Sequence, residues 1–191
     1  EITREVRTLL ADGTAYRLPL PEGEGSGHDV YLDLAQTPTF GSVSGWSREQ
    51  MAAVFVERGG DPDRVGKRDP FDPLLWRAVR EGEPSWDDEV LGAGRPGWHI
   101  ECTAISRDRL GHPLDIQGGG TDLVFPHHEM SAVQSAALTH DPTFARHYVH
   151  QAMVGFEGQK MSKSRGNLVL VSKLRAAGVD PMAIRLALLG G

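Results

Sequence analysis

The fold of this chain is decided by the stretch Leu114-Asp115-Ile116-Gln117-Gly118-Gly119-Gly120-Thr121-Asp122. Residues 114–117 predict a short strand that ends at three consecutive glycines. Apolar spacing predicts a helix on each side of it, over residues 99–110 and from about residue 126 to residue 138. A second strand is predicted around residues 148–154. Strands that alternate with helices in this way predict a parallel α/β sheet.

The outer parts of the chain carry clear helix signals. Residues 2–12 have the apolar spacing of an amphipathic helix. Ser47 and Gln50 form a capping box at the start of a helix predicted to run through Arg58, and Asp180 before a proline marks the start of the last helix. Residues 61–96, by contrast, are rich in proline, glycine and charge, which predicts an irregular insertion rather than a core unit.

Composition sets the limits on location and partners. The 191 residues include one cysteine, so an internal disulfide is excluded and a reducing, cytoplasmic compartment is predicted. The net charge of −6 argues against a broad nucleic-acid surface, but not against one small anionic ligand. No run of 18 apolar residues exists, so no membrane span is expected. Because the chain starts at Glu1 without an initiator methionine, we expect it to be a piece of a longer protein.

The most specific signal for a chemical function is the stretch Lys160-Met161-Ser162-Lys163-Ser164, which is called the lysine loop. Its two ammonium groups lie three residues apart on a loop that Gly158 and Gly166 make flexible. Such a pair of charges is suited to bind a triphosphate that loses pyrophosphate. Charge spreads over several oxygens in that transition state, and mobile point charges can follow it. A solvated Lys/Ser surface loop is the alternative interpretation.

A second nucleotide signal is the glycine triplet with Asp122. Glycines after a strand let the backbone approach a ligand closely, and a carboxylate there can accept hydrogen bonds from ribose hydroxyls. A plain tight turn is the alternative.

Cys102 and His127 provide a thiolate and an imidazole, the beginning of a zinc site. Ser131, one helical turn after His127, is a poor ligand, so two good ligands are too few for a site. Cys102 could instead be a buried small hydrophobic residue, and His127 with His128 an exposed polar pair. Trp98 could wall a small pocket or belong to an ordinary core.

Three segments, residues 94–102, 118–129 and 160–167, resemble in order and spacing the second half of the catalytic domain of cysteinyl-tRNA synthetases, which are class I aminoacyl-tRNA synthetases. Within this family, residues 57–62 make the chain more similar to the cysteine:glucosaminyl-inositol ligases of mycothiol biosynthesis. Ser131, which stands where the tRNA synthetases carry a glutamate zinc ligand, favours the same subgroup.

The resemblance implies an α/β fold. Residues 94–191 would be the second half of a Rossmann-like parallel sheet, with the lysine loop. Residues 1–93 would be a mostly separate, inserted α+β connective lobe.

The resemblance also implies ATP-dependent activation of L-cysteine as cysteinyl-AMP, followed by transfer to the amine of glucosaminyl-inositol. ATP would enter with Mg²⁺, and one zinc ion would bind the substrate thiolate, held in part by Cys102 and His127. Lys160 and Lys163 would act on the phosphates. The cysteine pocket and the adenylate would be contacted by Trp98, Gly120, Thr121, Asp122 and Val154.

One departure from the family limits this expectation. A histidine-containing nucleotide turn and a further zinc-binding cysteine, both in the family's first half, are missing. We therefore expect the chain alone to be inactive and to need an N-terminal half of the same enzyme as its partner. Neither a membrane nor tRNA is expected as a partner. Two alternatives stay open: a fragment of a true cysteinyl-tRNA synthetase, and a non-catalytic synthetase-like binding module.

Overall fold

A computed structural model describes residues 1–190, apart from the side chain of Lys160. Contacts divide these residues into a first unit, residues 1–117 and 124–148, and a second unit, residues 118–123 and 149–190. In chain order the helices and strands are α1 (Ile2–Ala11), β1 (Ala15–Pro19), β2 (His28–Leu32), α2 (Arg48–Phe55), β3 (Leu74–Ala78), β4 (Gly94–Pro96), α3 (Trp98–Leu110), β5 (Leu114–Gly120), α4 (Glu129–Thr139), β6 (Ala145–Gln151), β7 (Gly155–Phe156), β8 (Gln159–Lys160), α5 (Val171–Ala176) and α6 (Pro181–Leu189).

Strands β1 to β4 form one antiparallel sheet in sequence order. Trp76 of β3 lies between Val30 of β2 and Pro96 of β4, and it is fully buried. The prediction that residues 61–96 are an irregular insertion is therefore wrong for β3 and β4. The apolar run in β3 is short, and its burial comes from partners far away in the sequence.

Strands β5 and β6 pair with each other in a separate two-stranded sheet. The Leu114 N–H donates to the Phe144 carbonyl oxygen at 2.9 Å. Further along, a Cβ on Gly118 would lie 3.7 Å from the carbonyl oxygen of Val149. Both contacts advance in the same chain direction, so the two strands are parallel. The predicted α/β fold with a parallel sheet is confirmed, and β5 continues through the glycine triplet.

The main core of the first unit joins α1, the antiparallel sheet, α3 and α4. At its centre the buried ring of Phe125 lies 5.8–6.4 Å, between centroids, from four aromatic rings, those of Phe40, Trp46, Phe55 and Phe71. Residues before and after position 93 thus share one core. The predicted boundary between residues 93 and 94 does not coincide with the division by contacts, and it stays a prediction about domain organisation.

The local helix signals are reproduced at most ends. The capping box of Ser47 and Gln50 is present, although α2 ends at Phe55 rather than at Arg58. The Asp180 side chain caps α6 by accepting from the Met182 N–H. The helix predicted from about residue 126 is a π-helical turn through His128, interrupted at the extended Phe125 (φ −136°, ψ 134°), and it continues as α4 from Glu129. None of the described helices is long and apolar enough to cross a membrane.

Candidate functional site

The candidate site of the first unit lies where the start of α3 meets the turn before α4. Gly97 precedes α3, and a Cβ there would lie 1.9 Å from the Leu74 carbonyl oxygen, so the helix starts directly against β3. The indole of Trp98 stacks on the imidazole of His127, with centroids 4.6 Å apart and planes 22° apart. His99, which the sequence analysis missed, places its Nδ1 3.0 Å from the Nδ1 of His127.

Burial favours the neutral form of both imidazoles. Burial, with the neighbouring His127 as a second cause, lowers the pKa of His99 to about 3. Burial also lowers the pKa of His127. One ring can therefore donate a hydrogen bond to the other across the Nδ1–Nδ1 contact, and the tautomers of the two rings set which one is the donor. Neutral imidazole is also the form that binds metal ions.

Cys102 lies one helical turn after Trp98 and His99, on the same face of α3. Its thiol is free and exposed, so the alternative of a buried small hydrophobic residue is wrong. Desolvation by the surrounding protein, assisted by Glu101, raises the pKa of the thiol. A bound cation, such as a metal ion, would act in the opposite direction and favour the thiolate form.

Among the described residues, no three His, Cys, Asp or Glu side chains gather closely enough to hold a metal ion. The Ser131 hydroxyl donates to the His127 carbonyl oxygen at 2.9 Å. Zinc prefers thiolate and imidazole ligands and usually takes at least three from the protein. The chemistry of Cys102 and His127 therefore fits zinc, but the two residues supply only part of a ligand set.

Two charged side chains hold the turn before α4, a role that was not predicted for either of them. Arg58 Nη1 donates to the carbonyl oxygen of Phe125 at 2.5 Å. The carboxylate of Glu129 is fully buried and accepts three backbone N–H bonds of 2.7–3.2 Å, from Gly41, Val43 and Ser44. The turn is thus fixed on both sides of His127.

The second unit contains the predicted adenylate-binding residues. The side chain of Asp122 folds back onto the glycine triplet, since a Cβ on Gly120 would lie 2.4 Å from its Oδ1. The same position would be 3.6 Å from the Sδ of Met153, which precedes Val154. Thr121 is exposed, whereas Asp122 and Val154 are half-buried.

The lysine loop follows the β7–β8 hairpin in the same unit. The Ser162 N–H donates to Asn167 Oδ1 at 2.9 Å, and the Arg165 N–H donates to Ser162 Oγ at 3.3 Å. These bonds close the loop and leave Lys163 exposed. The side chain of Lys160 lies outside the described part of the chain, so its predicted role stays a prediction.

Comparisons with known proteins agree with one another. The family described as tRNA synthetases class I (C) catalytic domain matches residues 1–191. The L-cysteine:1D-myo-inositol 2-amino-2-deoxy-alpha-D-glucopyranoside ligase of Kytococcus sedentarius is 68% identical over 96% of this chain and 43% of its own length. The ligases of the same name from Salinispora tropica and Saccharomonospora viridis are 60% and 59% identical over the whole chain, which covers 46% and 45% of their lengths. The chain spans less than half the length of these relatives.

Proposed function

Because the chain belongs to the family of class I (C) tRNA synthetase catalytic domains, we propose that it is part of an ATP-dependent ligase that joins L-cysteine to the amine of glucosaminyl-inositol. The observation that carries this proposal is the 58–68% identity to ligases named for that reaction, which extends over 96% or more of the chain. The exposed thiol of Cys102 beside the Trp98–His127 stack supports it with chemistry suited to a cysteine substrate.

The proposed reaction has two steps. The carboxylate of cysteine attacks the α-phosphorus of ATP, and pyrophosphate leaves to give cysteinyl-AMP. The amine of glucosaminyl-inositol then attacks the acyl carbon, and AMP leaves as the amide forms. Lys163, with Lys160, stabilises the charge that develops on the departing pyrophosphate. Asp122 accepts hydrogen bonds from the ribose hydroxyls, while Gly120, Thr121 and Val154 contact the rest of the adenylate.

We further propose that Cys102 and His127 are two ligands of a zinc ion, and that the remaining protein ligands come from the rest of the full-length protein. When bound, zinc supplies affinity for the substrate thiolate and thereby selects cysteine over serine, because a neutral hydroxyl is a poor ligand. Stacking against Trp98 fixes the orientation of the His127 ring. Trp98 itself is half exposed and forms a wall of the cysteine pocket.

The test is cysteine-dependent exchange between ATP and labelled pyrophosphate, carried out with the full-length protein. We expect exchange with cysteine, little with serine, and amide formation when glucosaminyl-inositol is added. Transfer of cysteine to tRNA instead of the sugar would identify a cysteinyl-tRNA synthetase. Absence of any exchange would leave a non-catalytic binding module as the better interpretation.

A further inference from the structure

The segment Glu57-Arg58-Gly59-Gly60-Asp61-Pro62 has no role in the proposed reaction, although its arginine reaches the candidate site. We propose that Arg58 is a positioning residue: it fixes the turn that carries His127 and so sets the geometry of a metal ligand. This inference rests on the proposed function, because it assigns Arg58 a role at the proposed zinc site.

The chain is built to present Arg58 to the turn. Helix α2 ends at Phe55, and the chain then turns back sharply, with Gly59 at φ 86°. A Cβ on Gly60 would lie 2.5 Å from three ring atoms of Phe55, so the returning backbone packs directly on that ring. Asp61 anchors the far end by accepting from the Tyr31 hydroxyl at 2.6 Å. The Arg58 side chain therefore extends from a backbone segment that is constrained by its contacts and not from a loose loop.

The carbonyl oxygen of Phe125 accepts a hydrogen bond from outside the turn, from Arg58. Phe125 is extended, so its carbonyl is not aligned with the axis of the helix that follows. Arg58 Nη1 donates to this oxygen, while its guanidinium lies 5.7 Å from the ring centroid of Trp46. A planar guanidinium can stack on an indole and donate in its own plane at the same time, which a lysine ammonium cannot do.

The result is a backbone held on both sides of His127. Two residues before it, Phe125 is fixed by Arg58 and by burial of its ring. Two residues after it, Glu129 is fixed by its three N–H donors. Ligand geometry is sensitive to shifts of about 0.5 Å. Loosening one anchor should therefore disturb the His127 ring, and with it metal binding, before it disturbs the fold.

The experiment uses Arg58→Lys and Arg58→Ala in the full-length protein, with Arg48→Lys and Arg48→Ala as matched controls. Arg48 also stacks on a ring of the same aromatic cluster, 4.7 Å from the centroid of Phe71, but its hydrogen bonds go to Asp69 and not to the turn. Zinc affinity is measured by competition with a chromophoric chelator. The KM values for cysteine and ATP come from pyrophosphate exchange.

We expect both Arg58 variants to bind zinc about 10–100-fold more weakly, as is typical when a partner of a metal ligand is lost. The KM for cysteine should rise while that for ATP stays unchanged, and excess zinc should restore exchange. The Arg48 variants should keep the zinc affinity of the wild type, even though their melting temperatures should be similar to those of the Arg58 variants. The inference would be overturned if the Arg58 variants kept the zinc affinity of the wild type, or if they lost no more zinc affinity than the Arg48 variants. Neither result would affect the proposed function, because cysteine-dependent exchange by the wild type would remain. A wild-type protein that exchanges pyrophosphate but binds no zinc would overturn it together with the proposed metal site.

Discussion

Replacing Glu129 with glutamine should be among the most damaging conservative changes in this chain. Glu129 Oε1 accepts from the Gly41 N–H, and Oε2 accepts from the N–H groups of Val43 and Ser44. A glutamine can keep two of these bonds by placing its oxygen at the Oε2 position. Its NH₂ group then faces the Gly41 N–H, leaving a buried donor without an acceptor at a cost of about 1–3 kcal/mol. Loss of the charge weakens the two bonds that remain, because charge-assisted bonds are roughly twice as strong as neutral ones.

Together these effects predict a loss of roughly 2–4 kcal/mol, a large part of the 5–15 kcal/mol typical of a folded domain. Urea denaturation of the purified wild type and of Glu129→Gln measures this loss. The two free energies of unfolding are compared with the same slope against urea concentration. Glu49→Gln is the control, since Glu49 is exposed in the first turn of α2, and its loss should be much smaller. Equal losses for the two variants would refute the view that the buried carboxylate anchors residues 41–44.

Three further predictions address the loop, the acid stability and the start of α3. Lys163→Ala should slow adenylate formation on the order of 10²–10³-fold, or about 3–4 kcal/mol, with little change in the KM for cysteine; an unchanged exchange rate would make the loop a plain surface turn. Arg7 binds both oxygens of Asp88 and lowers the pKa of Asp88 from 3.8 to about 2. The ionised carboxylate therefore stabilises the fold above pH 3.8, and this stabilisation is lost as the pH falls towards 2. Asp88→Asn should therefore be less stable than wild type at neutral pH, with the gap closing between those values in denaturation curves; a gap that does not depend on pH would contradict it. Gly97→Ala would place a Cβ 1.9 Å from the Leu74 carbonyl oxygen and should cost about 1–3 kcal/mol by urea denaturation; a variant as stable as wild type would show that β3 and α3 can move apart.

The parts of the fold that could be predicted were those with local signals. The capping box of Ser47 and Gln50 is a short-range pattern, and it appears in the structure as predicted. Strand β3 could not be predicted in the same way, because its partners lie 16–20 residues away in β4 and 43–46 residues away in β2. Its few apolar residues carry no periodicity of their own.

The same distinction applies to the candidate site. Cys102 and His127 could be predicted as zinc ligands because thiol and imidazole groups signal metal chemistry by type alone, and that role stays a prediction. A role for His99 was not predicted, because that role depends on its contact with His127, which is 28 residues away in the sequence. Arg58 was predicted only as the end of a helix, since nothing in the sequence indicates that it reaches the Phe125 carbonyl.

The position of Phe125 has a consequence for how the protein is made. Its four aromatic neighbours all precede it in the chain, the last of them at Phe71. A ribosome that adds about 5–20 residues per second needs roughly 3–10 s to extend the chain from there to Phe125. During that interval the four earlier rings lack the Phe125 ring that lies against them in the folded structure. We therefore expect nascent chains stalled between these points to be bound by chaperones, and chains released after α4 to escape them.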